Sequence, residues 1–224
     1  MSVWSFLQRV FGGRHQDPSL PAASAPKAES RELWRPPVGE PVIAIHEDDW
    51  GMRNLWPALT GEHAVREMGE SIAAAERNRD PSGFGWTAMH EIQSPDVTFR
   101  DIGLTAAAAE AAIDGIMPRV RWFSATVGLS IGQAEKDPWG SYEEDALCFG
   151  FDRSCFIKLD CQDGMVVHIW FEATGDATQL AALRAAIEAV DRISPAVIAD
   201  FWIKAVGPVS DTYFMDRYFA HLAG

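Results

Sequence analysis

The stretch CFIKLDCQDGMVVHIWFE, residues 155–172, holds two runs of β-branched and aromatic residues on either side of the pair Asp163-Gly164. An Asp-Gly pair readily supplies the positive φ angles of a two-residue turn, so the two runs are expected to form a hairpin. In the second run Met165, Val167, Ile169 and Phe171 alternate with Val166, His168, Trp170 and Glu172, the period of a strand with two distinct faces. A third strand-like run, ALCFGF at 146–151, lies just upstream. Consecutive hairpins imply a largely antiparallel sheet, and the chain is expected to be a single α+β domain with helices packed on one side of that sheet.

Downstream of the hairpin, Asp176 with Gln179 three residues on has the pattern of a capping box, and Leu180, Leu183, Ile187 and Val190 continue it as the apolar stripe of a helix ending near Ile193. AVIADFWI at 196–203 is expected to be a strand from its β-branched and aromatic content, and a last helix from Asp211 to Leu222 to bury Phe214, Tyr218 and Leu222. Upstream, VIAIHE at 42–47, WTAMHEIQ at 86–93 and VRWFSATV at 120–127 are expected strands. Thr60 is the expected cap of a helix with Val65, Met68, Ile72 and Ala75 inward and Glu62, Arg66, Glu67 and Glu70 outward; Thr105 opens an alanine-rich helix.

Ahead of this domain, residues 1–11 carry an apolar stripe of Val3, Leu7 and Val10 at helical spacing, ended by Gly12-Gly13. Gln8 and Arg9 inside the stripe argue against a secretory leader. A helix this short is marginal alone, so it is expected to dock on its own domain or on another chain. Residues 12–40 are rich in Pro, Ala and Ser and read as a linker, which leaves 41–224 as the folded domain. There is no apolar run of the length that spans a bilayer.

The charge of −13 is the main bulk signal, and residues 41–224, with 14 basic and 28 acidic side chains, carry a net of −14. Such a surface repels phosphate backbones and anionic headgroups, so nucleic-acid binding is not expected, whereas association with a basic protein partner is accelerated. Three cysteines, Cys148, Cys155 and Cys161, offer no pairing framework and no CxxC motif; they fit small buried hydrophobes in a reducing, cytoplasmic setting.

No phosphate-binding loop, dinucleotide turn, HExxH helix, nucleophile elbow or EF-hand pattern is present, and no cofactor is implied. Two stretches combine acids with large aromatics. IHEDDWGMRN at 45–54, continued by Trp56, offers Asp48, Asp49, Trp50 and Trp56; EKDPWGSYEED at 135–145 offers Trp139, Tyr142, Glu143, Glu144 and Asp145. Aromatic anchors in a charged field suit a protein-binding hot spot, the rings supplying burial and the carboxylates steering. In general character (small, acidic, poor in motifs) the chain resembles the bacterial immunity proteins that neutralise cationic toxin domains, a resemblance that transfers no site residues. The alternative is a metal-dependent hydrolase in which His46, His90 and His168 meet from three strands, with Glu47 or Asp48 completing the set. His63, on a polar helix face, His221 and His15 are not expected to take part.

Overall fold

A computed structural model describes residues 36–46, 49–88, 90–126 and 142–224. The expected N-terminal helix, nearly all of the linker and Glu47, Asp48 and Trp139 lie outside the described residues.

Ten strands and four helices are described, in the order β1 Val42–His46, β2 Arg53–Pro57, α1 Gly61–Arg77, α2 Ala106–Ile113, β3 Arg119–Val120, β4 Trp122–Thr126, β5 Tyr142–Glu143, β6 Leu147–Asp152, β7 Cys155–Gln162, β8 Met165–Ala173, α3 Ala177–Ile193, β9 Ala196–Asp200, β10 Ala205–Pro208 and α4 Thr212–Leu222. Seven strands form one antiparallel sheet in the order β10-β9-β2-β8-β7-β6-β3, and β1, β4 and β5 form a small mixed sheet in which β1 runs parallel to β4. The hairpin of β7 and β8 is formed as its sequence implies, with Asp163 and Gly164 both at positive φ.

The helices do not all lie on one side. Leu55, Ile157, Leu159, Ile169, Phe171 and Ile198 pack under α2, α3 and α4 in the main core. Trp56, Val197 and Ala199 alternate with two of these along β2 and β9, so they point to the opposite face, where they meet Ala64 and Met68 of α1. Phe156 and Trp170 likewise meet Ile43, Ile45 and Phe123 of the small sheet. The arrangement has three layers because the central strands are apolar on both faces: β9 is buried at all five positions, and β7 from Cys155 to Leu159.

Local chemistry explains most boundaries. Asp176 accepts from the backbone N–H groups of Thr178 and Gln179 while the Gln179 side chain accepts from the Asp176 N–H, completing the capping box of α3. Thr105 caps α2 through Ala108, and Asp211 caps α4 through Tyr213 and Phe214. Thr60 stands at the start of α1, but its hydroxyl donates to the Pro57 carbonyl instead of capping the helix. The apolar stripe of α1 is also rotated from the expected one: Ala64 and Met68 are buried with Glu67, while Val65 is exposed.

Three strand expectations change. WTAMHEIQ is not a strand: Trp86 makes an isolated bridge to Arg79, and His90 and Gln93 bond to the Glu67 side chain of α1 instead of joining a ladder. VRWFSATV divides at Arg121, giving β3 to the large sheet and β4 to the small one. AVIADFWI ends as a strand at Asp200, whose carboxylate accepts from the N–H groups of Trp202 and Ile203 and so turns the chain.

Candidate functional site

One end of the large sheet brings together side chains far apart in sequence. Arg53, the first residue of β2, pairs with Asp200, the last of β9; Glu172 near the end of β8 pairs with Phe156 near the start of β7; Asp152 at the end of β6 pairs with Cys155. With β10, whose first residue Ala205 also pairs with Asp200, six strands start or finish at this end. The residues just beyond them form its rim: Trp202 after β9, Asp49 to Met52 before β2, Thr174 after β8, and Arg153 with Ser154 between β6 and β7.

Two adjoining shallow clefts open beside this rim. One, of about 410 Å³, is lined by Val42, Ala44, Asp152, Arg153 and Ser154; the other, of about 370 Å³, by Ile45, Asp49, Arg153, Ser154, Glu172 and Thr174. Phe151 is 42% exposed at the β6 side and Trp202 is 49% exposed at the β9 side. Both aromatics stand near this end of the sheet, and neither lines a cleft.

Glu172 is held from below by a buried ionic network. Arg53 Nη1 donates to Glu172 Oε1 at 2.6 Å and Arg53 Nε donates to Asp200 Oδ2 at 2.9 Å. The Tyr218 hydroxyl donates to the same Asp200 oxygen at 2.8 Å, and Asp200 is fully buried. One guanidinium therefore serves two carboxylates. Burial holds the Glu172 carboxyl above its ordinary value; Arg53 opposes this, and the charges of Asp49 and Asp200 add to it. Asp152 is fixed differently, since it accepts from the backbone N–H and hydroxyl of Ser154, and those hydrogen bonds hold its carboxyl below the usual range.

Chemically, the second cleft presents the carboxylates of Asp49 and Glu172 beside the Arg153 side chain, with Glu172 already paired to Arg53. Among the described residues no histidine lines either cleft, and the Ser154 hydroxyl donates to Asp152.

The residues expected from sequence are distributed otherwise. Trp50 stacks on Trp170, ring centroids 5.3 Å apart, and meets the edge of Phe123, so it closes the core between the sheets. Trp56 is 3% exposed in the core beneath α1 and is unavailable to a partner. Tyr142 is half-buried against Trp122. Glu143 pairs at 3.0 Å with the fully buried Lys158, which also donates to Asp160 and lies over the Phe123 ring. Asp145 is exposed and takes Arg121, and Glu144 is exposed. Of the site residues expected from the two acid–aromatic stretches, Asp49 alone lines the cleft among the described residues.

The three histidines of the metal alternative are not shown together. The His46 side chain lies outside the described part. His168, opposite Asp160 in the β7–β8 ladder, is held below its ordinary value by burial, with the Asp160 charge acting in the other direction. His90 contacts Glu67 at 2.7 Å beside α1. Cys148 and Cys155 are buried as expected, but a register shift between Asp160 and Cys161 leaves Cys161 exposed. Glu172, Asp152, Phe151 and Trp202 share no motif, because they end or follow three different strands, β8, β6 and β9, and only the register joins them.

No family model, curated protein or solved structure matches this chain. The class defined by its fold is an α+β domain with a seven-stranded antiparallel sheet and a small mixed sheet. Among the described residues, no helix is long and apolar enough to cross a membrane.

Proposed function

We propose that this chain is a non-enzymatic acidic binding protein that recognises a basic protein partner, in the manner of a bacterial immunity or antitoxin protein. The observation that carries the reading is the convergence of Asp49 and Glu172 on one cleft in a domain of net charge −14. A lysine or arginine from the partner docks between these carboxylates, and Phe151 and Trp202, exposed near the same end of the sheet, supply apolar contact. The long-range field accelerates encounter, and the cleft fixes register. Unpaired cysteines suit a cytoplasmic location.

The test uses immobilised full-length chain and its Asp49→Asn/Glu172→Gln variant at low salt. A basic protein retained by the native chain, released as salt rises, and lost in the variant is the expected result. Equal retention by both proteins, or retention indifferent to salt, overturns the reading.

A further inference from the structure

We propose that Glu67, Glu70 and His90 form a binding site for a divalent first-row transition-metal ion of the zinc or manganese class. One ligand-capable atom from each of the three lies within 4.8 Å of the other two. Glu67 and Glu70 are three residues apart on α1 and so share a face of the helix, and His90 is brought against that face by the chain that follows.

Local charge supplies an independent argument. Four charged side chains are buried among the described residues: Arg53, Glu67, Lys158 and Asp200. Arg53 and Asp200 pair with each other, and Lys158 pairs with Glu143 and Asp160. Glu67, only 2% exposed, has as its ionic partner His90, which carries charge only when protonated. A buried carboxylate without a permanent cation is costly, and a divalent ion supplies the missing charge.

The donor set selects the class of ion. One imidazole nitrogen with carboxylate oxygens suits zinc, manganese or ferrous iron; a calcium site would use six or more oxygens, and a soft-metal site would use thiolates. The backbone N–H of Gln93 donates to Glu67 Oε1 at 2.9 Å and orients that carboxylate, as outer-shell donors do in metal sites. Glu70 is exposed and His90 half-buried, which leaves the outer coordination positions to water. Metal entry replaces the direct His90–Glu67 contact and pins the segment around His90 to α1. The site shares no residue with the acidic rim, so it stands or falls independently of the proposed partner binding.

Untagged full-length protein, stripped with a chelator, is titrated calorimetrically with zinc and separately with manganese. Saturation near one equivalent by at least one ion is expected, with Glu70→Gln and His90→Gln each weakening it by about tenfold or more. His221→Gln, on α4, is expected to leave binding unchanged. Glu70 is exposed, so its variant remains informative even if the His90 variant folds poorly. Absence of saturable binding by either ion, or affinity unchanged in Glu70→Gln, overturns the proposal.

Discussion

Replacing Arg53 with Met tests the link between the buried network and the acidic rim. The substitution keeps much of the side chain's volume but removes the donors at 2.9 Å from Asp200 and 2.6 Å from Glu172. Asp200 keeps the Tyr218 hydroxyl and the N–H groups of Trp202 and Ile203, yet loses its only charged donor among the described residues. Breaking a buried pair on one side costs about 3–5 kcal/mol, and the retained hydrogen bonds place this case toward the lower figure. Glu172 is less committed, because it retains some exposure to solvent, and burial already holds its carboxyl above its ordinary value. Urea unfolding followed by tryptophan fluorescence measures the loss. With a slope of about 2–3 kcal/mol per molar urea, the midpoint should fall by roughly 1–2 M with the slope unchanged. Arg53→Met/Asp200→Asn should recover part of the loss, with a coupling of about 1–3 kcal/mol. A single-variant loss below about 1 kcal/mol, or strictly additive losses, would refute the view that Arg53 offsets the Asp200 charge.

Two further outcomes follow from particular contacts. His168 is held neutral by burial, so its folded value lies below the unfolded one; its contribution is complete above about 6.5 and is lost as pH falls through the folded value. His168→Gln should flatten the acid side of the stability profile measured by thermal unfolding between pH 7 and 5, and an unchanged profile would assign the acid sensitivity elsewhere. Gly150 leaves no room for a side chain, since a Cβ there would come within 2.7 Å of the Cys155 carbonyl oxygen and the Phe156 Cα. Gly150→Ala should cost about 3 kcal/mol or more in denaturant unfolding because backbone atoms must move; a loss under about 1 kcal/mol would mean that the β6–β7 pair yields freely.

The elements legible in the sequence are those specified by near neighbours. Asp163-Gly164 dictates the β7–β8 turn, and the Asp176–Gln179 box with its following stripe dictates α3. Central strand β2 is different. Its sequence, RNLWP, places Arg and Asn at buried positions and ends in Pro, features that argue locally for a loop. It is a strand because β8 and β9 flank it and Asp200, 147 residues away, receives the arginine. The same distance in sequence hides the rim, whose members share the end of a sheet and no motif. The sequence places Glu67 on the outer face of α1 because carboxylates usually occupy that face; its partners, His90 and Gln93, are visible only after the chain folds back.

The most direct measurement is the salt dependence of affinity between this chain and the basic protein it retains, made in parallel with Asp49→Asn/Glu172→Gln. The native affinity should fall tenfold or more between about 0.05 and 0.5 M salt, and the variant should bind more weakly with a shallower dependence. An affinity that ignores salt, or a variant that binds like the native chain, would contradict recognition through the Asp49–Glu172 cleft.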